Sequence, residues 1–106
     1  MDRLTNSLLG IQNLRDNAPD LVNAYLNFAE KVKTSGAIDS KNKSLILLSL
    51  ALQARCESCI TFNTEAALNE GATKDEILEV CMLAVSMGGG PTMMDLNFVL
   101  ETLESL

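Results

Sequence analysis

The sequence predicts an all-α domain of five to six helices, and three observations carry that prediction. Apolar residues recur at the 3.6-residue period of a helix along most of the chain. No segment shows the alternation that a half-buried strand needs, and helix-starting and helix-stopping residues punctuate the apolar stripes. At 106 residues the chain fits a single domain over 1–106, large enough for a core and small enough to be helped by association. Its apolar content of 47% is high for a small acidic protein and points to helix faces buried between identical subunits.

Residues 4–15 place Leu4, Leu8, Ile11 and Leu14 at helical spacing, interrupted by a weakening Gly10. Asn17-Ala18-Pro19-Asp20 breaks and restarts the chain, with Pro19 suited to the first turn of the next helix. That second helix carries Leu21, Ala24, Tyr25, Phe28, Ala29 and Val32 as an apolar stripe. Lys31 and Lys33 fall in its last turn, where cations favour the helix dipole, and Thr34-Ser35-Gly36 ends it. Asp39 or Ser40 caps a third helix reaching about Arg55. Its second half, from Leu45 to Leu52, is apolar nearly all round, as in a helix covered by its own subunit and by a neighbour.

A fourth helix runs through about Asn69, with Ile60, Ala67 and Leu68 facing in and Gly71 as its stop. Thr73 and Glu76 are spaced as a capping box, opening a helix that carries Ile77, Val80, Cys81, Ala84 and Val85. Gly88-Gly89-Gly90-Pro91 reads as a tight turn, since a phosphate loop would need a strand before it and a lysine after it. The last helix starts near Pro91 and shows Leu96, Val99, Leu100 and Leu103. Met82, Met87, Met93 and Met94 read as core or subunit-interface filler.

The net charge of −6 and a pI near 4.4 argue against nucleic acid or an anionic membrane as a partner. Met1-Asp2-Arg3-Leu4 lacks the basic region and apolar run of a signal peptide, and Leu45 to Ala54 is too short to span a bilayer. Three cysteines do not make a secreted disulfide framework, so the expectation is a cytoplasmic protein with one reactive pair and one spare thiol.

The chemistry concentrates in Arg55-Cys56-Glu57-Ser58-Cys59, at the junction of the third and fourth helices. A thiolate at a helix start meets free backbone N–H groups and the positive end of the dipole, and both lower its pKa. Positions i and i+3 share a helical face, so the two sulfurs can meet as a disulfide. Structural zinc wants four nitrogen or sulfur ligands, and three cysteines with no histidine do not supply them, so no metal or other cofactor is expected. A thioredoxin fold would need a strand before the pair. Cysteine is also buried for packing alone, which stays an alternative for Cys56 and Cys59 and is the preferred reading of Cys81.

In this order and spacing the pieces resemble the carboxymuconolactone decarboxylase family, specifically its small alkylhydroperoxidase D-like members. The resemblance runs from Pro19 to Pro91. It rests on Ile38-Asp39-Ser40-Lys41, Cys56-Glu57-Ser58-Cys59, Ala66-Ala67-Leu68, Glu70-Gly71-Ala72-Thr73 and Met87-Gly88-Gly89-Gly90-Pro91. It implies a helical bundle assembled as a homo-oligomer, often a trimer or hexamer, whose CxxC pair reduces hydroperoxides through a sulfenic acid. By that analogy Cys59 attacks, Cys56 resolves, and an external dithiol resets the pair. Family peroxidases carry a glutamate and a histidine as a proton relay, at positions that here are Ser44 and Asn63. Either can donate a hydrogen bond, but neither takes a proton near neutral pH, and no histidine exists elsewhere to replace the base. Arg55 and the helix dipole are what remain to stabilise a thiolate, opposed by Glu57.

The leading expectation is thus a weak thiol-dependent peroxidase or disulfide reductase acting on a small hydroperoxide or disulfide. A second is a non-catalytic redox-sensing or binding oligomer on the same fold. A third is a decarboxylase or other lyase acting on a small acid, which would need Arg3, Arg15 and Arg55 to converge.

Overall fold

The computed structural model describes residues 3–105, with side chains from Thr5 onward, so Met1, Asp2 and the side chains of Arg3 and Leu4 lie outside the described part. It contains six helices: α1 (Arg3–Asn17), α2 (Pro19–Lys33), α3 (Ser40–Ala54), α4 (Glu57–Asn69), α5 (Lys74–Gly88) and α6 (Gly90–Ser105). No strand occurs among the described residues, as the periodicity predicts. No helix among them is long and apolar enough to cross a membrane.

The helix ends follow from local chemistry. Asp39 Oδ1 accepts the Asn42 N–H at 2.8 Å and starts α3. The Thr73 hydroxyl accepts from the Glu76 N–H at 3.1 Å while the Glu76 carboxylate accepts from the Thr73 N–H at 2.9 Å, completing the capping box. Lys41 adds an ion pair to Glu76 at 2.8 Å, and these bonds hold the Glu76 carboxyl below its ordinary pKa. Two sharp turns use glycine in the left-handed region, Gly71 at φ +97° after α4 and Gly89 at φ +69° after α5.

The core forms where α3, α4, α5 and α6 meet. Leu48 and Leu52 of α3, Ile60 of α4, Ile77 and Cys81 of α5, and Val99 of α6 are fully buried. Burial of each large aliphatic side chain contributes roughly 1.5–3 kcal/mol. Helices α3 and α4 are joined by Arg55 and Cys56 alone, so the two lie side by side and the cysteine turn sits at their shared end. Helices α1 and α2 form a hairpin packed against one flank of this pair.

Four expectations change. Helix α2 forms where predicted but buries none of its side chains; Leu21, Tyr25 and Phe28 are 77%, 66% and 63% exposed. Its stripe borders an open groove instead of entering the core. Helix α3 is buried on one face only, leaving Ile46 and Leu50 exposed. The four methionines are half to largely exposed, which removes the core reading and leaves the interface one. On α6 the inward face takes Thr92, Asp95, Val99, Thr102 and Leu103, so Leu100 turns outward.

Candidate functional site

Helix α3 ends because Arg55 adopts the left-handed conformation (φ 56°), which among the described residues no other non-glycine residue does. Its backbone N–H bonds to the carbonyls of Ala51 and Leu52, and the Cys56 N–H bonds to the Ala51 carbonyl at 3.2 Å. This reversal aims the chain into α4. A side-chain link from the turn to α6 fixes it: Arg55 Nε donates to Asp95 Oδ2 at 3.0 Å and Nη2 to Oδ1 at 3.4 Å. Asp95 is buried on α6, whereas the guanidinium is largely exposed. The hydrogen bond to Asp95, and then its charge, raise the Arg55 pKa. The sequence assigns Arg55 to thiolate stabilisation; in the folded chain its charge is matched by Asp95.

Cys56 is the N-cap of α4, its Sγ accepting the Cys59 N–H at 3.2 Å. The two cysteines are joined as a disulfide, with their Cα atoms 5.2 Å apart. Cys56 is half-buried and Cys59 is exposed. Between them the Ser58 hydroxyl hydrogen-bonds to that of Ser7, fastening α1 to the cysteine turn. Asn63, one turn beyond Cys59, donates from Nδ2 to the Cys59 carbonyl at 2.8 Å. Its amide therefore braces the backbone that carries the thiol.

The turn opens into a groove of about 1130 Å³ between the α1–α2 hairpin and the α3–α4 pair. Tyr25, Phe28, Leu47, Leu50 and Phe62 line it, together with Cys56, Cys59 and Asn63. Ser44 is not among the lining residues; it is half-buried on α3, one turn before Leu47. Twelve residues of helix separate it from Cys56, roughly 18 Å along the axis, and a serine side chain is short. Three of the four sequence-predicted site residues thus gather, and Ser44 stays apart. A smaller depression of about 460 Å³, lined by Ser49, Gln53, Leu83 and Met87, carries no titratable group.

The remaining candidates separate as well. Arg15 donates to Asn23 of α2 at 2.9 Å while Arg55 is held by Asp95 of α6, so these two arginines do not form one anion site. Cys81 is fully buried, and burial pushes its thiol up to about 11, which makes it unreactive near neutral pH. Among the described residues no cluster of three or more His, Cys, Asp or Glu could hold a metal ion.

Two site residues escape sequence reasoning. Asp95 leaves one trace, an acidic residue at the spacing of the inward face of α6. Ser7 leaves none, because its partner is 51 positions away.

Comparison with known proteins places this arrangement. Residues 19–102 match the sequence profile of the carboxymuconolactone decarboxylase family. An uncharacterised protein of Cupriavidus necator is 31% identical over 88 residues, covering 83% of this chain and 78% of that protein. An uncharacterised protein of the cox locus of Paracoccus denitrificans is 31% identical over 83 residues, covering 78% of this chain and 75% of the relative. Among solved structures, a carboxymuconolactone decarboxylase family protein of Legionella pneumophila superimposes with a TM-score of 0.89 at 32% identity, covering 96% of this chain and 91% of that one. A family protein of Thermotoga maritima, for which a part in antioxidative response has been suggested, gives a TM-score of 0.87 at 23% identity, covering 98% and 89%.

Proposed function

The chain belongs to the carboxymuconolactone decarboxylase family, and from that premise we propose that it is an alkylhydroperoxidase D-like thiol redox protein cycling between dithiol and disulfide at Cys56–Cys59. The observation that carries the reading is the cysteine pair bonded across the first turn of α4, its exposed member beside an open groove.

Cys59 is the attacking thiol and Cys56 the resolving one. The exposed Cys59 sulfur reaches a hydroperoxide and, in the disulfide, is the sulfur open to an incoming dithiol. When the dithiol attacks it, Cys56 leaves as a thiolate whose charge the Cys59 N–H and the helix dipole already stabilise. Asn63 keeps the Cys59 peptide in place. With no imidazole in the chain, proton removal from Cys59 lacks a histidine base, which lowers turnover on the order of a hundredfold or more. Ser44, a helix length from the pair and outside the groove, takes no direct part in this step.

The test is hydroperoxide consumption by the purified protein with dithiothreitol, beside Cys59→Ser. Turnover that disappears in the variant supports the reading; equal consumption by both proteins refutes it. The missing base favours a second reading, a redox-responsive oligomer without turnover, for which the disulfide would form and reduce cleanly while no peroxide is consumed.

The working form is a homo-oligomer, a trimer or hexamer, associating through the face that carries Met82, Leu83, Met87 and Met94, which are 52%, 64%, 86% and 67% exposed. Light scattering on the wild type and on Met87→Glu checks this, since a monomeric wild type would refute it. A cytoplasmic setting supplies the reducing partner the cycle needs.

A further inference from the structure

We infer that the groove beside the cysteine pair takes a long-chain carboxylic acid bearing a hydroperoxide, its carboxylate on Lys33 and its peroxide at Cys59. This substrate assignment rests on the thiol-peroxidase reading above. The groove has two chemically different ends. Cys56, Ser58 and Cys59 line one, and Lys33, the last residue of α2, lines the other.

The span between them follows from the fold. Lys43, in the first turn of α3, donates to the carbonyls of Val32 and Thr34 at 2.9 and 2.7 Å, which places the end of α2 beside the start of α3. Cys56 follows 13 residues later at the far end of α3, about 20 Å along the helix. An extended hydrocarbon advances roughly 1.3 Å per C–C bond of about 1.5 Å, so a chain of about fifteen carbons bridges it. The wall along that path is apolar: Val32, Phe28 and Tyr25 from α2, Leu47 and Leu50 from α3, Phe62 from α4.

Charge complementarity selects the occupant. Lys33 is the one charged residue lining the groove, and it makes no ion pair or hydrogen bond among the described residues. A single cation at the end of an apolar trough matches one carboxylate on one hydrocarbon chain. The net charge of −6 disfavours polyanionic ligands.

The reaction balances with the reductant already named. The Cys59 thiolate attacks the terminal peroxide oxygen; the O–O bond breaks, an S–O bond forms, and the alkoxide takes a proton to leave as a hydroxy acid. The Cys56 thiol then attacks the sulfenic sulfur, forming the disulfide and releasing water. An external dithiol returns both sulfurs to thiols and is itself oxidised to a disulfide.

The experiment compares linoleic acid hydroperoxide, its methyl ester and cumene hydroperoxide as substrates of the full chain, with dithiothreitol as reductant. The expected result is the highest kcat/KM for the free acid. Lys33→Gln then raises the acid's KM relative to the ester's by about two- to fivefold, as loss of an exposed ion pair does. Equal kcat/KM for all three overturns the substrate assignment and leaves the thiol-peroxidase reading standing. Should no peroxide turn over, that reading fails, and the groove is tested on its own with oleic acid. Tyr25 is the only tyrosine and tryptophan is absent, so its emission reports directly on the groove. Saturable quenching that weakens in Lys33→Gln supports the acyl groove. No change in Tyr25 emission, or a groove covered by a second copy of the chain, overturns it.

Discussion

Replacing Asp95 by asparagine tests how the helical scaffold controls the cysteine pair. Asp95 is buried on α6 and receives two hydrogen bonds from Arg55, the left-handed residue directly before Cys56. The pair thereby ties the turn that carries the cysteines to the opposite side of the core. Such a tie pre-organises the two thiols and favours the disulfide over the dithiol. Because the guanidinium is mostly exposed, solvent screens the interaction, and loss of such a pair shifts a coupled equilibrium by about fivefold at most. If the whole of it assists disulfide formation, Asp95→Asn weakens the disulfide about fivefold against a reference dithiol. That corresponds to a reduction potential higher by about 20 mV. Equilibration with dithiothreitol redox buffers, followed by alkylation of free thiols and intact mass, reads this directly. A potential identical to wild type, with thermal stability lowered, would show that the pair anchors the fold and has no part in poising the disulfide.

Three further outcomes are expected. A Cβ at Gly88 would overlap the Thr92 hydroxyl and crowd the Gln53 amide, itself bonded to the Ala84 carbonyl at 2.5 Å, so Gly88→Ala destabilises the chain by about 1–3 kcal/mol in urea denaturation. The Cys81 thiol titrates at an ordinary 9.0 when unfolded and near 11 when buried, so the unfolded chain releases its proton first. Stability attributable to Cys81 is therefore constant well below pH 9 and falls by about 2 kcal/mol as pH rises from 9 to 11; Cys81→Ala should lose this component of the slope. Finally, Asn63→His supplies an imidazole one turn from Cys59 and should raise peroxide turnover by about tenfold or more at pH 7.5; an unchanged rate would mean that deprotonation of Cys59 does not limit turnover.

What the sequence alone determined is local. A cap at Asp39 or Ser40, the Thr73 cap, the glycine stops, five to six helical segments and the meeting of Cys56 with Cys59 are all decided by residues within a few positions of one another. Helix period and capping act over that range, so one chain read in order suffices. That positions 44 and 63 carry serine and asparagine, neither of which takes a proton near neutral pH, is equally plain in the sequence. Only the tertiary structure decided which apolar stripes are covered: α2 reads as amphipathic from Leu21 to Val32, yet its stripe borders a groove because the hairpin it forms with α1 leaves open space against α3 and α4. Only it paired Arg55 with Asp95 across 40 positions, and Ser7 with Ser58 across 51. Periodicity tells each helix which side is apolar, but the choice of neighbour depends on how all six helices fill the same volume, and that is a property of the whole fold.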